Sequence, residues 1–249
     1  MVHRLDRMTW PTVKERLDDG SRLVVIMAGS VEQHGPGLPL GVDTIRADEL
    51  GERIAAELDC FLAPTIRPGI SDHHMSFPGT ITLTPETFRD VARDYCRSLA
   101  AHGFDHVAFV TTHGGNTGTL ESVTSELDDD LDAQVFLAGD REEFLHVRYG
   151  AMAEHDIPPE AAGLHAGAAE ASFIRTTHPE FVDGEATERG HVGDIDATAV
   201  QEQGVAAVSA NGVLGDQTQS SQEAGATLIG DCVAYFVDAI RAELASDGR

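Results

Sequence analysis

The amino-acid sequence predicts an α/β fold with a mostly parallel sheet and helices on both faces. Two observations carry this. Short continuous apolar runs, Leu23–Ala28 (LVVIMA) and His106–Thr111 (HVAFVT), read as strands buried on both sides. Between such runs lie stretches with helical spacing of apolar residues, the alternation that builds parallel sheets rather than hairpins.

The elements follow in order. The first run ends at Gly29 and is the first buried strand. Residues 47–58 have helical spacing, with Leu50, Ile54, Ala55 and Leu58 on one face. Residues 61–66 read as a second strand. Thr84, Pro85 and Glu86 form a helix start, with Thr84 as N-cap and the proline in the first turn, and that helix runs to about Ala101. After the 106–111 strand, a helix is expected beyond Asn116, then a strand over 134–138 and a long apolar-periodic helix over 226–244. No repeat, low-complexity tract or linker interrupts the 249 residues, so residues 1–249 are read as one domain.

Composition narrows the function classes. Hydrophobic residues make up 41%, enough for a sizeable core. No apolar run approaches the ~18–20 residues that span a bilayer. Residues 1–15 contain no apolar stretch of the kind a secretory signal needs, so a soluble, cytoplasmic protein is expected. There are 42 acidic residues against 17 basic ones, a net charge of -25, and Lys14 is the single lysine. Such a surface repels phosphates and anionic lipid, which excludes nucleic acid and membranes as expected partners. The acids are scattered, which together with the scarcity of lysine points to a halophilic protein that keeps soluble in high salt. Cys60, Cys96 and Cys232 are far apart and odd in number, and are expected as buried small hydrophobes.

Ligands of open parallel sheets bind beyond the carboxyl ends of the strands. After the first strand comes GSVEQHGPGLPLGVDT, Gly29 to Thr44. In extended backbone Glu32 and His34 point the same way, and Asp43 follows on the return of a Gly/Pro-rich loop. After the 106–111 strand comes Thr112-His113-Gly114-Gly115-Asn116, whose glycines permit a tight turn and a close approach to a ligand. A third segment, His165-Ala166-Gly167-Ala168-Ala169-Glu170, sets one imidazole and one carboxylate among small residues. Carboxylate oxygens with imidazole nitrogens suit zinc, manganese or iron. Six such groups are about what two neighbouring ions sharing a carboxylate require. His73 and His74 precede Phe77-Pro78-Gly79-Thr80 in a loop of active-site length.

Taken together, these stretches resemble the creatininase (creatinine amidohydrolase) family. The matching segments are TWP at 9–11, GSVEQHGPGLPLGVDT at 29–44, HHMSFPGTITL at 73–83, THGGN at 112–116, HAGAAEAS at 165–172 and GVLGD at 212–216, in family order. The resemblance implies a three-layer α/β/α fold and a small-molecule amide substrate, cyclic or otherwise non-peptide. It also implies two divalent metal ions per chain and a homo-oligomer, often a hexamer; ligand chemistry allows Zn2+, Mn2+ or Fe2+, and affinity order favours Zn2+. It makes Glu32, His34, Asp43, His113 and Glu170 the metal ligands, with Asp43 bridging, and His165 the catalytic proton shuttle. Gly114, Gly115, Asn116 and His74 are expected at the substrate. Two features depart from creatininase proper. Gly114 and Gly115 stand where that enzyme has a tyrosine and a metal-binding glutamate, and Trp10 is the single tryptophan where it places tryptophans over its substrate. Relatives with the HGGN form include a formamidopyrimidine deformylase and a cofactor-precursor peptidase. The expected reaction is therefore hydrolysis of an amide C–N bond, of the creatinine or formamide type. The alternatives are trimming of a modified peptide and a catalytically silent metal-binding scaffold. Residues 139–162 are expected to shape the pocket.

Overall fold

The computed structural model describes residues 2–195 and 197–246. The chain runs β1 (His3–Arg4), α1 (Trp10–Asp18), β2 (Leu23–Ala28), α2 (Val42–Leu58), β3 (Phe61–Leu62), α3 (Pro85–Ala101), β4 (His106–Thr111) and α4 (Thr117–Asp130). It continues through β5 (Gln134–Leu137), α5 (Arg141–Ala153), α6 (Pro159–Ala162), α7 (Ala168–Thr177), α8 (Ala197–Gln203) and α9 (Gln222–Ser246). The strands form one parallel sheet in the order β1-β3-β2-β4-β5. Its centre is the β2–β4 ladder, in register from Leu23 opposite His106 to Ala28 opposite Thr111.

The two apolar runs lie at the centre because both of their faces are covered. Val25, Met27, Ala108 and Val110 face Leu50 and Ile54 of α2, Phe173 of α7 and Leu228 and Phe236 of α9. The intervening residues, Val24, Ile26, Val107 and Phe109, face Phe88 and Cys96 of α3 and Leu120, Val123 and Leu127 of α4. The period of two in the strands thus separates two cores, and the three layers expected from the sequence are present. All three cysteines are buried and free.

Local chemistry sets the element ends. Thr84 accepts a hydrogen bond from the Thr87 amide at 3.2 Å, the N-cap expected at Pro85. The strand expected over 61–66 is shorter. Only Phe61 and Leu62 join the ladder, because Pro64 has no N–H to donate. The chain then rejoins through the Ile66 amide on the Met27 carbonyl at 2.9 Å. Helix α2 begins at Val42 rather than at residue 47. Its first turns bury Asp43, Thr44 and Arg46, polar residues that hide the helix from an apolar-spacing argument. The Thr44 hydroxyl donates to the Ser30 carbonyl at 2.9 Å, which pins the start of α2 to the segment leaving β2. Helices α7 and α9 cross in near contact, since a Cβ on Gly225 would lie 2.1 Å from the Ser172 carbonyl oxygen. That crossing holds α7, with Glu170 in its first turn, against the end of the sheet.

Candidate metal centre

All six ligand-type residues gather beyond the carboxyl ends of β2 and β4. Glu32 and His34 come from the loop after β2, Asp43 from the first turn of α2 and His113 from the turn after β4. His165 precedes α7, and Glu170 lies on it. Glu32 and His34 are fully buried, and Asp43, His113 and Glu170 are buried as well.

Their potential ligand atoms form three overlapping sets, each with all atoms within 4.8 Å of one another: Glu32, Asp43 and His113; His34, Asp43 and Glu170; and Glu32, His34 and His165. Asp43 belongs to the first two. Its Oδ2 lies 3.4 Å from His113 Nδ1 and 3.8 Å from His34 Nε2. Glu32 Oε1 lies 3.3 Å from His113 Nδ1 and 3.4 Å from His165 Nδ1, and Glu170 Oε2 lies 3.6 Å from His34 Nε2.

The hydrogen-bond network assigns each ring a face. His34 donates from Nδ1 to the Glu32 carbonyl at 3.0 Å, so its Nε2 faces the carboxylates of Asp43 and Glu170. His113 donates from Nε2 to the Ile70 carbonyl at 2.8 Å, which turns Nδ1 inward. Such outer bonds fix ring orientation and tautomer for metal ligation. His165 donates from Nε2 to the Gln33 carbonyl at 2.7 Å and presents Nδ1 to Glu32. Glu32 Oε1, His34 Nε2 and Asp43 Oδ2 are buried with no hydrogen-bond partner, although they converge. Buried polar atoms left unmatched are costly, and a cation among them removes the cost. The donor set of carboxylate oxygens and imidazole nitrogens fits divalent ions of the zinc and manganese type.

The electrostatics agree. Burial disfavours the charged form of His34, but the carboxylates of Asp43 and Glu170 outweigh it and hold its pKa at about 9. Burial likewise opposes ionisation of Glu170, yet Arg148 and Arg46 bring its carboxyl to about 2. Burial, then the charge of His34, pushes His165 down to about 4.

Several residues here carried no local sequence signal. Arg46 donates to Glu170 at 2.7 Å, to Asp43 at 3.3 Å and to the Thr112 carbonyl at 3.2 Å. Its i, i+3 spacing from Asp43 on a helix was the one available hint. Arg148 reaches Glu170 at 3.6 Å from the distant α5. The Gln33 side chain donates to His74 Nδ1 at 2.9 Å and to the Gly212 carbonyl at 3.1 Å. Ala166 adopts φ 55, a left-handed conformation that turns its amide onto Glu170 Oε2 at 2.6 Å.

Two cavities open onto the cluster. One, of about 610 Å³, is lined by His73, His74, His113, Gly114, Gly115 and His165, among others. The second, of about 120 Å³, lies beside Asp43 and Glu170 and is walled by residues of α5. Gly114, Gly115 and His74 thus face open space, and part of the 139–162 segment does shape it. Asn116 is placed otherwise than expected. It is fully buried, its amide group donates to the Gly29 carbonyl at 3.0 Å and accepts from the Ile70 amide at 3.0 Å, and it lines neither cavity. It clamps three loops together instead. Gly115 has a steric reason: a Cβ there would sit 2.2 Å from the Ile70 carbonyl oxygen and 2.4 Å from His113 Nε2, breaking their hydrogen bond.

Known proteins share this arrangement of chain. The mycofactocin precursor peptide peptidase of Mycobacterium ulcerans is 32% identical over 241 residues, covering 91% of this chain and 84% of that one. The creatinine amidohydrolase of Pseudomonas putida is 25% identical over 247 residues, covering 95% of each. Among solved structures, a creatinine amidohydrolase (creatininase) superposes with a TM-score of 0.80 at 22% identity over 99% of both chains. A manganese creatininase gives 0.80 at 22% identity, over 98% of this chain and 99% of that one. The sequence profile of creatinine amidohydrolases matches residues 6–240, and the chain belongs to the creatininase family.

Proposed function

We propose that this protein is a metal-dependent hydrolase that cleaves the C–N bond of an amide at the Glu32–Asp43–His113–Glu170 cluster. The observation that carries the reading is the convergence of three buried, unpartnered ligand atoms, Glu32 Oε1, His34 Nε2 and Asp43 Oδ2. Glu32, Asp43 and His113 would hold one divalent ion and His34, Asp43 and Glu170 a second, with Asp43 shared. Zn2+ is the favoured occupant by affinity order, with Mn2+ or Fe2+ as alternatives. Ions held there would bring the pKa of water from 15.7 toward about 7 and polarise the amide carbonyl.

The chain's own residues then move the proton. His165 is neutral near pH 7, since its pKa is pushed to about 4. Its Nε2–H is anchored on the Gln33 carbonyl, so Nδ1 is the atom free to accept a proton from the attacking water and pass it to the leaving nitrogen. In this reading the backbone amides of Gly114 and Gly115, which line the larger cavity, would steady the developing oxyanion, and His74 would contact the substrate.

The substrate we favour is a small cyclic or formyl amide. Peptide trimming is a second reading, supported by the 32% identity with the mycobacterial precursor peptidase. A homo-oligomer belongs to the same proposal. Helix α1 buries none of its residues and leaves Trp10 78% exposed, which favours a covering surface in the assembly. Among the described residues no helix is long and apolar enough to cross a membrane. The test is hydrolysis of a panel of lactams, N-formyl compounds and short peptides, by protein as purified and after chelation. Chelator-sensitive turnover of any class supports the reading, and its product identifies the class. No turnover across the panel by protein shown to carry metal favours the silent scaffold.

A further inference from the structure

The smaller cavity beside the cluster sets three arginines next to the carboxylates Glu32, Asp43, Asp140 and Glu170 in a strongly acidic protein. It is lined by the buried Arg46 and Arg148 and by the exposed Arg141, facing an apolar wall of Phe144, Leu145 and Phe236. The carboxylates do not use up these guanidiniums. Arg148 meets Glu170 through Nη1 alone, at 3.6 Å, and its Nε and Nη2 are buried without a partner. Arg46 spends Nη1 on Asp43, Thr112 and Glu170, and its Nε is unpartnered. Arg141 lines both cavities, and among the described residues no carboxylate lies within ion-pair reach of it. Guanidinium charge lining the cavity without an ion-pair partner of its own, as at Arg141, favours entry of an anion there.

We propose that Arg141 and Arg148 form a carboxylate subsite beside the cluster, so that the substrate is an amide bearing a carboxylate close to the scissile bond. The inference rests on the hydrolase reading above and extends it to substrate class. Three features favour a carboxylate. The guanidinium is a planar fork that meets two carboxylate oxygens at once. The cavity, about 120 Å³, suits a short group rather than a bulky one. Its apolar wall would pack the stem that carries the charge. Arg141 also stands over the turn carrying Gly114, where a Cβ would lie 3.9 Å from its Nε, so one side chain touches both the subsite and the main cavity.

The test measures binding of glutarate and of its uncharged isostere glutaramide by calorimetry. The protein is used as purified, as wild type, Arg148→Met and Arg141→Met. Arg141 is exposed, so its variant reports even where loss of Arg148 disturbs folding. The wild type is expected to prefer glutarate by roughly tenfold or more, with the preference cut by a similar factor in Arg148→Met and several-fold in Arg141→Met. Equal binding of the two probes, or a preference unchanged in both variants as when the dicarboxylate sits elsewhere, overturns the subsite. A paired assay with N-formylglycine and N-formylglycinamide separates this proposal from the one beneath it. Hydrolysis of both at equal kcat/KM removes the subsite and keeps the hydrolase. Arginine-dependent glutarate binding without amide hydrolysis keeps the subsite and removes the hydrolase.

Discussion

His34 donates its Nδ1–H to the backbone carbonyl of Glu32, two residues earlier, at 3.0 Å. This one bond lets the Glu-x-His spacing present two potential ligands to one centre. It fixes the tautomer, turns Nε2 toward Asp43 and Glu170, and leaves the Glu32 carboxylate to face His113 from the other side. Asp43 stands between the two halves, so Asp43→Asn, which keeps the shape and removes the charge, is expected to lower metal content at both positions. Elemental analysis should show less than half the wild-type metal, with kcat/KM down by about 10²-fold or more.

His165 is assigned to proton transfer rather than to holding metal. Substitution by alanine should lower kcat about 10²–10⁴-fold while metal content stays within error of wild type. Metal lost in step with activity would make His165 a ligand through the Glu32–His34–His165 set instead.

The same residue shapes the pH profile. A base whose pKa lies at about 4 is already deprotonated at pH 5, so His165 adds no acid limb between pH 6 and 7. An acid limb in kcat centred on the ordinary histidine value, and abolished in a His165→Ala variant with residual activity, would contradict this.

Metal removal should make stability depend on pH in a predictable sense. In the metal-free protein the His34 pKa of about 9 lies above its unfolded value near 6.5. Its contribution is therefore fully present below about pH 6.5 and lost as pH rises through about 9. Chelated protein should melt at progressively lower temperature across that window. Loaded protein should not, because the ion takes the place of the proton. Thermal melts of both forms from pH 6 to 10 check this. Parallel curves would mean that His34 does not exchange a proton for a metal.

Gly115 is a steric requirement of the centre. Gly115→Ala would push a methyl group onto the Ile70 carbonyl and His113 Nε2. The expected cost is about 1–3 kcal/mol, a melting-temperature drop of roughly 3–10 °C, accompanied by loss of metal. An unchanged melting temperature and metal content would show that the loop yields freely.

The sequence was most readable where chemistry and location coincide in one segment. The runs of β2 and β4 are apolar on both faces, and the residues at their carboxyl ends needed only the topology of a parallel sheet to become a site. Thr84 and Pro85 marked a helix start by capping chemistry alone. Other features were hidden for physical reasons. Pro64 interrupts a segment that otherwise reads as a strand. The first turns of α2 are buried but polar, so apolar spacing placed the helix start five residues late, beyond the turn holding Asp43. The roles of Arg148 and Gln33 depend on partners distant in the chain, Glu170 for one and His74 and Gly212 for the other. Asn116 sits in a motif beside the candidate ligand His113, and only its hydrogen bonds show that it holds loops rather than facing the cavity.

The most direct test of the central claim is metal content per chain by elemental analysis of wild type and Glu170→Gln. Glutamine keeps the size of the side chain and an acceptor for Arg46 while removing the anionic ligand. Close to two ions per chain are expected in the wild type and close to one in the variant. A single ion unchanged by the substitution, or none in the wild type, would contradict that claim.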